Sequence, residues 1–252
     1  MRSGDLFTVA EHGVRNASGS RPRVALIIPT LNEEESIAEV VRAAPREVID
    51  EIIVVDGGSA DRTAERARQA GARVLVEPRR GYGRACRLGV QSVPRDCEIV
   101  AFLDGDGSDH PELLPKLLAP IVSGECDFVI GSRTRGEREP GSMSGHQILA
   151  GRLAGLAVRL LYGVRYTDMC PFRAIRREVL LSLGMREQTY GWNLEMQMRA
   201  ARAGLRILEI PVRHRRRLGG TSKVAGNLVG SIKAGSRIVL TLLRVALEPK
   251  RA

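Results

Sequence analysis

The sequence has few aromatic residues and few cysteines. Phe, Tyr and Trp together make up 4% of the 252 residues, and the four cysteines show neither a CxxC pair nor the spacing of metal ligands. Zinc sites and the disulfide frameworks of secreted domains have regularly spaced cysteines. Because this chain lacks such spacing, we expect its cysteines to be buried thiols in a reducing compartment. Aliphatic residues are numerous enough to build the core of one large α/β domain.

Long uncharged apolar runs are lacking too. The first 21 residues are polar and have no apolar core of a signal peptide, so residues 1–22 are predicted to form a flexible leader. Near the other end, Lys233, Arg237 and Arg244 interrupt each apolar run before it reaches the roughly 18 to 20 residues of a spanning helix. We therefore predict a cytoplasmic protein, peripheral to the membrane, that does not cross it alone.

Acidic residues are scarce in the C-terminal part, which makes the charge distribution uneven. Residues 199–252 contain 13 Lys or Arg but only Glu209 and Glu248 as acids, so this segment carries a formal charge of +11 and the rest of the chain −1. Such a segment binds a phosphorylated substrate, anionic lipid or nucleic acid, or is a solvated arginine-rich surface. Nucleic acid is disfavoured as a partner because stacking aromatics are lacking there, and Trp192 lies outside the segment.

Short β-rich runs alternate with helical patterns from residue 24 onward, which predicts βαβ units and a mainly parallel sheet flanked by helices. Strands are predicted at residues 24–28, 51–55, 72–76, 98–103, 127–130, 172–175 and 206–212. Helices are predicted at residues 36–44, 63–70, 83–92, 111–122, 148–161 and 193–203. The charged, Gly- and Ser-rich residues 133–145 break this alternation and are predicted to form an active-site loop. One domain over residues 23–212 is then followed by a basic loop and amphipathic tail at 213–252.

Two carboxylates, Asp104 and Asp106, follow the predicted strand at residues 98–103. In open α/β sheets, ligands bind beyond the carboxyl ends of the strands. The period of two in an extended segment sends both side chains to one face, where two like charges need a cation. Hard oxygen ligands favour Mg²⁺ or Mn²⁺ that also takes oxygens from a substrate phosphate. The alternative, a solvated turn that caps a helix, is accepted here for Asp109 alone.

Polar residues also end the first two predicted strands. Ser36 with Glu39 is expected to form a capping box, and Asp61 is expected to cap the helix that begins near Thr63. Capping does not explain Asp56, because it ends an apolar strand where a carboxylate needs a partner.

Two further segments carry glycine beside basic residues. The glycines of residues 81–86 are expected to let the backbone approach a ligand or the next helix, with Arg84 reaching a phosphate or a base edge. In residues 213–223 the arginines can clamp phosphates, whereas His214 is expected at the surface. The pattern of residues 224–247 fits a helix in a membrane interface and, equally, a helix packed on its own domain.

Four motifs in order give the chain a specific resemblance. They are IPTLNEE at residues 28–34, VDGGSADRT at 55–63, DGD at 104–106 and RLGGTSK at 217–223. Together they resemble family 2 glycosyltransferases of the GT-A fold, within the branch of dolichyl-phosphate mannosyltransferase-like and polyprenyl-phosphate glycosyltransferases. The resemblance covers residues 24 to about 223.

The resemblance implies roles for the motif residues. A nucleotide pocket would be lined by Pro29, Thr30, Glu33 and Asp56, with Asp56 accepting from the base. The metal on the sugar-nucleotide diphosphate would be held by Asp104 and Asp106. Donor or acceptor phosphate would be bound by Arg133, Arg217, Ser222 and Lys223. Glu195 falls where many relatives carry an acidic residue near the acceptor, and its alternative is an exposed helix residue.

The chain also departs from that pattern. Ser108 stands where relatives often carry a metal-ligating Gln, and Asp56 is the one carboxylate left of a usual aspartate pair. Relatives with transmembrane helices after the catalytic domain differ from the amphipathic tail seen here. With Ser108 a poor ligand, Asp106 is preferred over Asp104 as the direct metal ligand, and Asp104 would act through water or on the ribose.

The predicted reaction is the inverting transfer of a hexose from a UDP- or GDP-linked sugar to a polyprenyl phosphate. The metal, Arg217 and Lys223 would stabilise the departing diphosphate. A lipid phosphate is already anionic and needs no strong base, whereas a hydroxyl acceptor would use Glu195 or Asp168, unless Asp168 only holds a loop. The alternatives are a soluble family 2 transferase with a hydroxyl acceptor and a noncatalytic membrane-binding scaffold. A nucleotidylyltransferase lacks support because no glycine- and arginine-rich loop follows the first strand.

Overall fold

A computed structural model describes residues 21–220 and 228–248, with the backbone alone at 228–234. The strands are β1 Val24–Thr30, β2 Glu51–Asp56, β3 Arg73–Val76, β4 Ile99–Phe102, β5 Phe128–Ser132, β6 Arg173–Arg176 and β7 Ile207–Pro211. The helices are α1 Ile37–Ala43, α2 Thr63–Gln69, α3 Tyr82–Ser92, α4 Leu114–Val122, α5 Gly145–Tyr162, α6 Arg177–Ser182, α7 Trp192–Arg202 and α8 Leu228–Leu247. Most of the predicted leader, together with Ser222 and Lys223, lies outside the described residues. The division at residues 22 and 212 stays a prediction.

The seven strands form one sheet in the order β3-β2-β1-β4-β6-β5-β7. Strand β6 runs antiparallel to β4 and β5, and the other neighbours are parallel. Every residue of β1 is buried, as expected for a parallel strand covered by helices on both faces. The predicted mainly parallel α/β sheet is therefore confirmed.

The sheet register brings the predicted site residues to one edge. Thr30 at the end of β1 is paired with Asp56 at the end of β2. On the other side of β1, Ile27 is paired with Phe102 at the end of β4, so the loop that carries Asp104 starts beside β1. Because these strands are parallel, their carboxyl ends meet at the same edge of the sheet.

Three local predictions are wrong. Helix α6 was not predicted, and residues 111–113 form a 3₁₀ turn ahead of α4 instead of its first turn. The expected capping box is absent because the Ser36 hydroxyl donates to the carbonyl oxygens of Gly105, at 2.8 Å, and Glu33, at 3.3 Å. Ser36 thereby fixes the loop after β1 to the loop after β4.

Helix α8 packs on its own domain through its C-terminal half. Thr241 and Val245 are buried against α7 and α5, and Arg202 donates to the carbonyl oxygens of Val245, at 3.0 Å, and Glu248, at 2.6 Å. Among the described residues, no helix is long and apolar enough to cross a membrane. The outward face of α8 nevertheless carries exposed apolar side chains, which include Leu240, at 57% exposure.

Helix α3 approaches β1 closely at Gly89, where a Cβ atom would lie 2.6 Å from Cγ2 of Ile27. We expect Gly89→Ala to lower the free energy of unfolding by roughly 1–3 kcal/mol, because the added methyl group overpacks the core. Gly151 in α5 is the matched control, since a Cβ there meets nothing within 4 Å. Gly151→Ala is expected to stabilise the fold by up to about 1 kcal/mol through helix propensity. Urea unfolding measures both, and stabilisation by Gly89→Ala would contradict the packing described.

Candidate active site

Asp106 lies in the loop that follows β4, and both oxygens of its carboxylate accept hydrogen bonds. Oδ1 accepts from the backbone N of Ser108 at 2.9 Å and from its hydroxyl at 2.6 Å. Oδ2 accepts from a guanidinium nitrogen of Arg217 at 2.7 Å. Ser108 therefore orients Asp106 in this structure, which is a different task from ligating a metal.

Asp104 is in the opposite situation. Its Oδ1 atom is buried and has no hydrogen-bond partner within the described part of the chain. Burial and the neighbouring carboxylates of Asp106 and Asp109 raise the pKa of Asp104 well above its ordinary value, and the guanidinium of Arg133 only partly opposes them. Asp104 is thus a carboxylate whose charged form needs a cation.

A divalent cation fits this pair, provided that a substrate supplies further ligands. No group of three or more His, Cys, Asp or Glu side chains within residues 21–220 and 228–248 is placed to hold a metal. Asp104, with its unpartnered oxygen, and Asp106 supply two carboxylates. Mg²⁺ commonly binds through one or two carboxylates, several waters and substrate phosphates, so two protein ligands are sufficient.

A segment at residues 215–220, called the strap below, lies across the loop that carries Asp106. The backbone N of Arg215 donates to the carbonyl of Ser108 at 3.0 Å, and that of Leu218 donates to the carbonyl of Asp106 at 3.0 Å. Gly107 has φ +75°, and a Cβ there would lie 2.5 Å from Cδ1 of Leu218. The backbone of the loop at Gly107 is therefore packed against the Leu218 side chain of the strap.

Arg217 is the residue of the strap that reaches the predicted site. Besides Asp106, its guanidinium donates to Oε1 of Glu33 at 2.6 Å. Glu33 is buried, and its backbone N donates to the Thr63 hydroxyl at 2.8 Å. Arg217 thus joins the predicted nucleotide side of the site to the predicted metal side.

The nucleotide side is formed by the ends of β1 and β2. Pro29 and Thr30 end β1 beside Asp56, which is buried and accepts hydrogen bonds from the backbone N of Ser59, at 3.0 Å, and from its hydroxyl. Ser59 thus holds the Asp56 carboxylate at the sheet edge, next to Thr30.

Asp61 contacts the start of α2 as predicted, although Arg62, and not Asp61, occupies the N-cap position. Its Oδ1 accepts from the backbone N of Thr63 at 3.0 Å at the start of α2. Although partial burial opposes ionisation, the hydrogen bonds from Thr63 lower the pKa of Asp61.

The glycines near Arg84 allow the loop before α7 to pack closely against the start of α3. The backbone N atoms of Gly83 and Arg84 donate to the carbonyls of Thr189, at 3.2 Å, and Gln188, at 3.0 Å. A side chain at Gly83 would strike the Glu187 carbonyl. The first amides of α3 are thus engaged by the loop before α7, and Arg84 is half-buried beside them.

Arg133 forms a bidentate pair with the buried Asp168. Both nitrogen–oxygen distances are 2.8 Å, and the backbone N of Arg133 also donates to Asp168, at 2.9 Å. Although burial opposes ionisation, Arg133 lowers the pKa of Asp168. A carboxylate with a lowered pKa is a weak base, so the structure favours the loop-holding role of Asp168 over the role of a general base.

Glu195 is fully buried, so the alternative of an exposed helix residue is wrong. It accepts from the backbone N of Arg186, at 2.9 Å, and of Glu187, at 2.6 Å, and from the side chains of Arg199, at 2.9 Å, and Arg244, at 3.2 Å. These bonds tie α7 to the preceding loop and to α8. Four donors on one carboxylate leave it poorly suited to accept a substrate proton.

Two residues near the site were assigned wrongly from the sequence. Asp109 makes no cap, because His110 precedes the 3₁₀ turn and no side chain caps it. Asp109 is instead buried, with Oδ1 3.6 Å from Nδ1 of His214, and Oδ2 accepts from the backbone N of Asp104 at 3.4 Å. His214 is buried as well, where a surface position was expected. Their pairing joins segments about 100 residues apart, and no local pattern signals it.

The different surroundings of Asp104 and Asp106 predict opposite effects of two matched substitutions on stability. With metal chelated, Asp104→Asn is expected to raise the melting temperature at neutral pH by roughly 2–4 °C, as about 1 kcal/mol does at this size. The reason is that a carboxyl with a raised pKa destabilises the fold once it ionises, so the gain should vanish toward about pH 4. Asp106→Asn should lower the melting temperature, because it breaks the ion pair with Arg217. A lower melting temperature for Asp104→Asn at neutral pH would contradict this description of the site.

Comparison with known proteins agrees with the geometry. The model of the family described as glycosyl transferase family 2 matches residues 25–184, which is more than half of the chain. An uncharacterized glycosyltransferase of Mycobacterium tuberculosis is 41% identical over 214 residues, covering 84% of this chain and 94% of the relative. The dolichyl-phosphate hexose transferase of Haloferax volcanii is 34% identical over 232 residues, covering 90% and 95%.

A solved structure extends the similarity to the fold. Glucosyl-3-phosphoglycerate synthase from Mycobacterium tuberculosis, in complex with Mn²⁺, UDP-glucose and phosphoglyceric acid, superposes with a TM-score of 0.76 at 26% identity. The match covers 99% of this chain and 87% of the synthase. The predicted GT-A fold is thereby confirmed. The family match and the identity to curated relatives together show that this chain is a glycosyltransferase that belongs to family 2.

Proposed function

We propose that the chain transfers a hexose, with inversion, from a UDP- or GDP-linked sugar to a polyprenyl phosphate at the cytoplasmic face of a membrane. The observation that carries the lipid acceptor is an apolar outward face on helices α5 and α8. The dolichyl-phosphate hexose transferase among the relatives supports the same acceptor class.

The nucleotide of the donor would lie against the ends of β1 and β2. Pro29, Thr30 and Asp56 lie together there, and Asp56 would accept from the base. The synthase that binds Mn²⁺ and UDP-glucose supports a nucleotide-sugar donor. Phosphate would be bound by Arg84, Arg133, Arg217, Ser222 and Lys223. Of these, Arg133 is already paired with Asp168, so it would bind phosphate through the remaining guanidinium nitrogen.

Mg²⁺ or Mn²⁺ held by Asp104 and Asp106 would neutralise charge on the departing diphosphate. Arg217 and Lys223 would add fixed positive charge at the same leaving group. Asp168 and Glu195, the two carboxylates considered as bases, are both engaged in buried ion pairs. A phosphate acceptor is already anionic and attacks without a strong base, so this arrangement favours a phosphate over a hydroxyl. Glu195 would then act by holding the loop before α7.

The outward face of α5 is unusually apolar. Four leucines spaced 4, 3 and 4 residues apart are more than half exposed: Leu149, Leu153, Leu156 and Leu160. Buried Ala154 and Val158 lie on the opposite side of the helix, so α5 is apolar on both its inner and its outer face. A helix with an apolar face on each of two sides is normally covered on both of them.

Helix α8 extends this face and supplies charge beside it. Val239, Leu240, Leu243 and Leu247 are exposed on a helix that contacts α5. The exposed Arg152 and Arg159 flank the leucines of α5. Apolar side chains bordered by arginine suit the surface of an anionic bilayer, where the leucines enter the acyl boundary and the arginines meet the headgroups.

The acceptor is tested by incubating the protein with a panel of UDP- and GDP-sugars, Mn²⁺ and a short polyprenyl phosphate. We expect a glycolipid of the mass of one hexose added to the lipid phosphate. Asp106→Ala should reduce its formation by about 100-fold or more, since the charge on the leaving group then lacks its cation. Asp96→Ala is the control, because Asp96 is exposed and pairs only with Arg23 among the described residues.

The second candidate function is transfer to a soluble hydroxyl acceptor, which the superposition on a synthase that binds phosphoglyceric acid favours. The same panel should therefore include phosphoglyceric acid. A glycosylated soluble product without any glycolipid would replace the first proposal by this one.

The apolar face gives a separate prediction about membrane binding. Leu153→Glu with Leu156→Glu should weaken sedimentation with phosphatidylglycerol vesicles by at least about tenfold, since each buried leucine is worth roughly 1.5–3 kcal/mol. Leu181→Glu is the matched control, because Leu181 is similarly exposed but lies on α6. Equal vesicle binding by both variants would contradict membrane docking through this face. A dimer that dissociates in the double variant alone would assign the face to a second copy of the chain.

A further inference from the structure

Arg217 carries an interaction that goes beyond binding a donor phosphate. Its two terminal nitrogens bridge two acids on different loops, Oδ2 of Asp106 at 2.7 Å and Oε1 of Glu33 at 2.6 Å. Both acids are buried, and the guanidinium side chain is 26% exposed. A charge-assisted pair in such surroundings is stronger than one at an open surface.

The bridge occupies the carboxylate that is proposed to hold the metal. Oδ1 of Asp106 is engaged by Ser108, so Arg217 holds the second oxygen. A cation that binds Asp106 through Oδ2 must therefore displace or share the guanidinium. Two positive groups at one carboxylate oxygen repel each other, which opposes metal binding while Arg217 stays in place.

We infer that Arg217 is an internal counter-cation that pairs with both Asp106 and Glu33, offsets one of their two negative charges before the donor binds, and is exchanged for the metal at Asp106 when the donor binds. Once released by the guanidinium, Asp106 would hold the metal, and the guanidinium would pair with the diphosphate instead. The planar fork of arginine suits carboxylate and phosphate equally, so neither group is left unpaired. The inference rests on the proposed metal ligands and is independent of the identity of the acceptor.

The exchange predicts that metal and nucleotide bind cooperatively. Metal alone has to break the pair between Arg217 and Asp106 and leaves the guanidinium without that partner. A nucleoside diphosphate supplies the replacement partner, so it removes this cost, and by linkage the metal tightens nucleotide binding by the same factor. Glu33 keeps Arg217 beside the site during the exchange, because it holds the second nitrogen.

The test is Mn²⁺ binding to the full chain, measured by electron paramagnetic resonance of free Mn²⁺, with and without UDP or GDP. Arg217→Gln is expected to tighten binding of Mn²⁺ alone by about tenfold, the size of one charge-assisted hydrogen bond. The same variant should reduce the enhancement of Mn²⁺ affinity by the nucleotide about tenfold. Arg216→Gln is the matched control, because Arg216 is exposed in the same strap and its side chain donates to the Pro140 carbonyl. Circular dichroism and the melting temperature verify that each variant is folded.

Two further variants separate the explanations. Arg217→Lys keeps the charge but cannot bridge both acids, so it should bind Mn²⁺ alone more tightly than the unaltered protein. Unchanged Mn²⁺ affinity in Arg217→Gln, or an equal gain in Arg216→Gln, would overturn the exchange. Asp106→Asn should abolish nucleotide-dependent Mn²⁺ binding. If nucleotide-dependent Mn²⁺ binding persists in Asp106→Asn, the proposed metal site itself is wrong. If that binding is lost in Asp106→Asn while Arg217→Gln binds Mn²⁺ with the same affinity as the unaltered protein, the metal site stands and only the exchange is wrong.

Discussion

The concentration of negative charge at the end of β4 is the constraint on which the site depends. Asp104, Asp106 and Asp109 lie within six residues, and Glu33 reaches the same place from β1. Carboxylates this close to one another in buried surroundings require compensation. The compensation arrives from the far side of the chain, where Arg217 pairs with Asp106, and the neighbouring His214 lies against Asp109. The strap is thus held in place by the charge of the loop that it covers.

Much of the fold follows from the sequence, because the strands are apolar runs that end in polar residues and the parallel register then brings those ends together. Asp56 and Asp104 are predicted as candidate site residues because each is a carboxylate at the end of such a run. Asp109 and His214 were misassigned because their partners are remote in sequence, and a helix cap and a surface histidine fit the local pattern equally well. The alternative of an exposed position for Glu195 was wrong for the same reason, since three of its four donors lie outside its own helix.

Membership of family 2 fixes the class of reaction but leaves the acceptor open. The features that distinguish one acceptor from another lie in the site and on the surface of this chain. The two carboxylates that would serve as bases are committed to arginines, and the helices next to α7 present leucines outward. The commitment of these two carboxylates and the exposed leucines are independent observations, and a phosphate on a lipid would account for both. A lipid phosphate as acceptor is therefore supported by these two features of the chain as well as by its relatives.

Gly107, which directly follows Asp106, has φ +75° and packs closely against Leu218 of the strap, so its own backbone conformation and the strap both require glycine there. A larger residue at position 107 would push away the segment that carries Arg217. In protein engineering, the acidic motif at residues 104–106 and the strap therefore have to be treated as a single unit. A graft of the acidic motif into another enzyme of this fold would need residues 215–220 to be transferred with it.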